Sequence, residues 1–182
     1  FADKLADAKE MFALAAKHRT PLMSSSSLRF TPALTAAKRD KIGNKKVRYV
    51  SSRGGGRFHI YIVHVLELLV STIGPGARRV MSVGEAPEAP VLVVDYPDER
   101  RGLVQLFPGL EFGLAASFGD GESFLLAEAQ GFYEAYLEAV LKFYLTGESP
   151  VPPAETLEIV ALQEAATRAL ERRDQWIEIE VI

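Results

Sequence analysis

The amino-acid sequence predicts an α+β domain in which an open, mainly antiparallel sheet carries helices on one face. Three observations lead there. Four or five short β-patterned segments follow one another between residues 79 and 127, joined by links too short for a crossover helix. The longest apolar helical segment, residues 58–73, stands between a glycine run and a Gly-Pro-Gly stop. The other helical patterns lie before and after the strand run rather than alternating with it.

Element by element, Asp3 is placed to cap a helix in which Leu5, Ala8, Phe12 and Ala15 recur at helical spacing and which ends near His18. Pro21-Leu22-Met23 reads as a short strand running into the polar loop Ser24 to Ser27, after which Pro32 opens a second helix to about Lys41. Residues 46–52 alternate in the manner of a half-solvated strand, closed by Gly54-Gly55-Gly56. Residues 58–73 are apolar at nearly every position, and their length favours a buried central helix over a strand.

Strands are expected at residues 79–83, 91–96, 102–107, 111–117 and 123–127, separated by Tyr96-Pro97-Asp98, Pro108-Gly109 and Asp120-Gly121, which together read as a meander. Two more helices are expected at residues 131–145 and 155–172, the second introduced by Pro150, Pro152 and Pro153. Residues 176–181 alternate like an edge strand. An open sheet leaves one face bare, and pairing with a second copy is the usual way to cover an apolar one, so a homo-oligomer through the sheet is expected.

The 182 residues are 48% hydrophobic and 25% charged, enough for one substantial core. The formal charge of -3 comes from interspersed acids and bases, which argues against nucleic acid or an anionic membrane as partner and for a small neutral molecule. With no cysteine there is no disulfide framework and no thiolate metal site, which fits a reducing compartment and an expected cytoplasmic location. The apolar stretch 60–73 is broken by His64 and Glu67 and is shorter than the roughly 20 residues a bilayer crossing needs. The chain opens at Phe1 with neither initiator Met nor leader, and an upstream part is expected.

Chemistry concentrates on the central helix. His64, Glu67 and Ser71 are spaced three and four apart and share a stripe, with Tyr61 at its flank. A histidine there can exchange a proton near neutral pH, as oxidation of an alcohol requires. Equally, His64 and Glu67 can be buried polar groups that satisfy each other or a neighbouring strand. His59 falls on a different face and reads as structural or solvent-facing, and His18 as a helix C-terminal residue.

Arg29, after the serine loop, can bind a substrate oxygen or form a salt bridge. The serines themselves can line a pocket or a solvated loop. Gly54-Gly55-Gly56 lacks the G-x-G-x-x-G spacing of a dinucleotide turn, and neither G-x-S-x-G nor H-E-x-x-H occurs, so hydrolase and zinc chemistry have no support.

Three stretches then resemble the glucose-fructose oxidoreductase/inositol dehydrogenase/MocA family (Gfo/Idh/MocA). FADKLADAKEMFALAAKHRTPLMSSSSLRFTPAL resembles the helix, strand, arginine and proline that follow that family's Glu-Lys-Pro signature. GGGRFHIYIVHVLELLVSTIG is similar to the glycine run and helix that carry its catalytic histidine. FYEAYLEAVLKFYLTGESPVPPAETLEIVALQEAATRA is similar to its two closing helices.

The resemblance implies that residues 1–27 are the end of a Rossmann nucleotide-binding domain whose remainder is absent, and that 28–182 are the substrate-binding and oligomerisation domain. It implies NAD or NADP in the parent protein with none bound by this chain alone, and a sugar, inositol or related polyol as substrate. His64 matches the family's histidine at the substrate hydroxyl, with Arg29, Tyr61 and Glu67 as candidate substrate contacts. No metal is implied. Ile60 stands where the family often has an aspartate and Ile62 where it often has a glycine, so the Asp-His pair is incomplete. A non-catalytic assembly or regulatory module, and a sugar-binding protein without redox chemistry, are the alternatives.

Overall fold

A computed structural model describes residues 2–43, 45–86 and 88–180. In chain order the elements are α1 (Leu5–Lys17), a 3-10 turn (Ser27–Phe30), α2 (Pro32–Ala37) running into a π-helical turn (Lys38–Ile42), β1 (Val47–Gly54) and α3 (Phe58–Ile73). The strands β2 (Arg79–Val83), β3 (Val91–Asp95), β4 (Arg101–Leu106), β5 (Gly113–Phe118) and β6 (Ser123–Leu126) follow. The chain then forms α4 (Phe132–Thr146), α5 (Pro153–Glu171) and β7 (Ile177–Glu178).

The strands make one seven-stranded sheet in the order β6-β5-β1-β4-β3-β2-β7. Every neighbouring pair is antiparallel except β1 and β4, which run parallel. The mainly antiparallel α+β sheet read from the sequence is therefore present, but the meander is interrupted: β1 is inserted between β4 and β5, with Ser51 facing Leu103 on one side and Ala115 on the other. Pro108-Gly109 thus belongs to a connection that passes over the end of β1 instead of a hairpin turn. The sheet's two ends are its two shortest strands, four residues in β6 and two in β7.

All the packed helices cover one face. α3 lies across β1, β4 and β5 and buries ten of its residues, among them Leu66, Leu68 and Leu69. Gly102 on β4 makes room for it, because a Cβ there would stand 2.9 Å from the Leu69 side chain. α5 packs beside α3 and beneath α1, and its buried small residues Ala161, Ala165, Ala166 and Ala169 let neighbouring elements approach closely. α1 forms an outer layer on α5, with Leu5 and Ala8 buried and the Leu5 amide donating to Glu164 Oε2 at 3.0 Å.

The opposite face carries a row of residues in register across six of the seven strands, from β2 to β6: Met81, Val93, Leu103, Ser51, Ala115 and Leu125. None of the six is buried, and Leu125 is 68% exposed. One sheet face is thus a packed core, and the other carries this mostly apolar row flanked by polar residues such as Arg79, Asp95 and Arg101.

Three local expectations are corrected. Asp3 does not cap α1; Lys4 occupies the N-cap position and no side chain caps the helix. Pro21-Leu22-Met23 forms no strand, since no strand of the sheet pairs with it and an extended segment without a ladder partner is not β structure. The closing strand is confined to Ile177–Glu178, and its predicted end at Val181, like the start at Phe1, lies outside the described residues.

Candidate functional site

The site is assembled from the first half of α3, the 24–26 loop and the start of α5. Because α3 is helical from Phe58, Tyr61, His64 and Glu67 fall on neighbouring turns, as their spacing predicted. His64 and Glu67 line a half-open cleft of about 280 Å³ together with Ser24, Ser25, Ser26 and His59. Thr156, Val160 and Gln163 of α5 form the facing wall, and Asp3 stands at the rim. A volume of that size suits a small molecule.

His64 Nδ1 lies 2.8 Å from Ser26 Oγ. The imidazole ring forms a three-ring cluster with Tyr61 and Phe112, whose centroids are 5.9 Å and 6.0 Å from it and 6.3 Å from each other. Burial holds its pKa below the ordinary value and so favours the neutral ring.

Glu67 is 3% exposed and accepts a hydrogen bond from Ser25 Oγ at 3.0 Å. Its Oε1 is 2.5 Å from Arg29 Nε, an ion pair whose N–H is not aimed at the oxygen and so is not a hydrogen bond. The aligned donation from Arg29 is Nη2 to Glu155 Oε2 at 2.6 Å. Burial pushes the Glu67 carboxyl up, while the Arg29 charge and the Ser25 hydroxyl pull it down. Beside this cluster, burial and then the Arg29 charge bring Lys38 down to about 8.

The predicted residues therefore separate. His64 and Glu67 meet at the cleft. Arg29 is buried behind Glu67 and ties α3 to α5 through Glu155. Tyr61 stands on the far flank of the His64 ring, 38% exposed. His59, read from the sequence as lying on another face, lines the same cleft, because the cleft is broad enough to take in Val63 and the turn before it. Thr156, Val160 and Gln163 were missed; their spacing marks one stripe of α5, but only the tertiary packing of α5 on α3 brings that stripe to His64.

The run Gly54-Gly55-Gly56 joins a strand to a helix, as a phosphate-binding turn would. A Cβ on Gly54 would lie 2.3 Å from the Phe112 ring, one on Gly55 2.6 Å from the Leu110 carbonyl oxygen, and one on Gly56 2.2 Å from the Tyr61 ring. The three glycines are thus explained by the close approach of Phe112, Leu110 and Tyr61, which leaves no room for side chains in this turn. Among the described residues, no group of three or more His, Cys, Asp or Glu is placed to hold a metal ion, and no helix is long and apolar enough to cross a membrane.

No family model matches the chain, and no curated protein matches it. Solved structures do. A probable dehydrogenase from Thermotoga maritima superposes with a TM-score of 0.77 at 15% identity, covering 97% of this chain and 70% of its own. The myo-inositol 2-dehydrogenase of Lactobacillus plantarum gives 0.70 at 13% identity, covering 96% and 70%. The WlbA dehydrogenase of Bordetella pertussis, solved in complex with NADH and UDP-GlcNAcA, gives 0.68 at 16% identity, covering 100% and 70%. The chain shares its fold with about 70% of the length of each of these Gfo/Idh/MocA-type dehydrogenases. At these identities the likeness is one of fold.

Proposed function

We propose that this chain is the substrate-binding and oligomerisation part of an NAD(P)-dependent oxidoreductase that acts on a hydroxyl of a sugar, inositol or related polyol. The observation that carries the reading is His64: a neutral imidazole, tethered at one nitrogen by Ser26, on the wall of a small cleft within a fold otherwise seen in dehydrogenases. A group of this kind is suited to exchange a proton with the reacting oxygen.

In this reading residues 1–27 end a nucleotide-binding domain and 28–182 bind substrate. Glu67 and Arg29 hold the cleft wall in place, and Tyr61 fixes the plane of the His64 ring. NAD or NADP, when bound by the parent protein, supplies the hydride chemistry, and this chain alone binds neither. A homo-oligomer built through the apolar sheet face, a sugar or polyol partner and a cytoplasmic location complete the proposal.

The test is His64→Ala in the intact parent protein. Turnover should fall by about 10²- to 10⁴-fold, the usual contribution of a positioned proton-transfer group, with the thermal transition preserved. Unchanged turnover removes His64 from the chemistry.

A second reading rests on Ile60, which is 57% exposed one turn before His64 and offers no carboxylate to the imidazole. In it the fold serves as a non-catalytic assembly or regulatory module or as a sugar-binding protein. A fusion to a nucleotide-binding domain that folds but binds no dinucleotide would favour the module. Ligand binding by the isolated chain without redox turnover would favour the sugar-binding protein.

A further inference from the structure

We infer that Ser26 is a positioning residue that fixes the tautomer of His64, so that the neutral imidazole offers its Nε2–H to a ligand as a hydrogen-bond donor. This rests on the proposed role of the cleft and deepens it. The argument is one of hydrogen-bond accounting. A serine hydroxyl has one proton to give and two lone pairs with which to accept. Ser26 Oγ accepts from the Leu28 amide at 3.2 Å, which closes the 3-10 turn. Its other partner among the described residues is His64 Nδ1 at 2.8 Å.

An amide can only donate, so the hydroxyl proton has one acceptor within reach, the Nδ1 lone pair. Ser26 is 5% exposed, so although it borders the cleft little of it meets water that could take that proton instead. The opposite tautomer, with Nδ1 protonated, would turn two donors toward each other or leave the hydroxyl proton unsatisfied in a buried place. Nδ1 is therefore the acceptor and Nε2 carries the proton. Nε2 has no hydrogen-bond partner among the described residues, and the ring lies on the cleft wall.

The consequence is a preference in ligand chemistry. A carbonyl or carboxylate oxygen, which only accepts, matches an N–H donor directly. An alcohol can accept from Nε2–H but cannot hand its own proton to it. Ser26 thus biases the resting site toward the carbonyl form of a substrate. Abstraction of a hydroxyl proton by His64 requires the minor tautomer first. Ile60 contributes to this arrangement, since an isoleucine one turn earlier offers His64 no carboxylate that could hold the proton on the other nitrogen.

The experiment is long-range nitrogen–proton correlation NMR on the full chain labelled in its histidines, with His64 assigned by comparison with His64→Gln. The expected spectrum shows His64 Nδ1 as an unprotonated acceptor nitrogen and Nε2 as protonated at neutral pH, whereas exposed His59 averages between tautomers. Ser26→Ala should raise the Nδ1–H population roughly tenfold, the effect of removing a buried donor that selects one form. Ser26→Thr, which keeps the hydroxyl, should restore the wild-type pattern. A protonated Nδ1 in the wild-type protein, or a tautomer mixture that Ser26→Ala leaves unchanged, overturns the inference whether or not the parent protein is an oxidoreductase. The expected tautomer together with undiminished turnover of His64→Ala would instead retain this inference and overturn the proposed function.

Discussion

α3 and α4 are nearly equal in length and both rich in large apolar side chains, yet one is the most buried helix of the molecule and the other has no buried residue at all. α3 has the sheet beneath it and α5 beside it, so its few polar groups must find partners inside: Glu67 takes Ser25 and Arg29, and His64 takes Ser26. α4 touches the rest through its inner side, where Phe30 and Tyr136 rings pack 5.6 Å apart. Its outer stripe of Leu137, Leu141, Tyr144 and Leu145 faces outward, with Leu145 87% exposed. Apolar periodicity tells which residues share a face; the environment of that face is a separate fact.

Breaking the polar anchorage of α3 is expected to have the largest effect. Arg29→Met leaves Glu67 buried without its cation and should lower stability by about 3–5 kcal/mol at neutral pH, read from denaturant midpoints. The loss should shrink as pH falls through the window above 4.5, where Glu67 takes up a proton. A carboxyl whose folded pKa is raised binds its proton more tightly in the folded state, so its contribution falls as pH rises through the window above 4.5. A deficit that does not change with pH would show that Glu67 is not the group left uncompensated.

Leu66→Ala, at a fully buried position of α3, should cost about 2–5 kcal/mol in the same measurement. A smaller effect follows from His64. Its folded pKa is lowered by burial, so the unfolded chain binds its proton more readily; stability should fall as pH drops below 6.5, and His64→Gln should flatten that slope. An unchanged slope would assign it to other groups. Leu141→Ala on α4 should change stability by no more than about 0.5 kcal/mol, because the side chain is 62% exposed. A loss near that of Leu66→Ala would mean that α4 is covered in solution.

The same contrast explains what could be read in advance. The bounds of α3 were legible because Gly54-Gly55-Gly56 and Gly74 frame it, and the shared stripe of His64 and Glu67 followed from helical spacing. The strands were legible from their turn signals to within a few residues. The insertion of β1 between β4 and β5 was not, since period-two alternation says which residues face inward and nothing about which strand lies alongside. The pairing of Ser26 with His64 spans 38 positions in sequence and depends on the 3-10 turn that the Ser26 side chain itself caps. His59 was placed away from the cleft because helix geometry alone does not give the width of the opening beside it.

The two short strands that end the sheet bear on how copies of this protein can meet. Edge-to-edge growth needs a long row of unpaired amides and carbonyls, and β6 and β7 offer four residues and two. The broad apolar row from Met81 to Leu125 can be covered only face on. Were two copies to pair in the proposed way, the association would be finished once two faces had joined, and the number of partners would be limited to one.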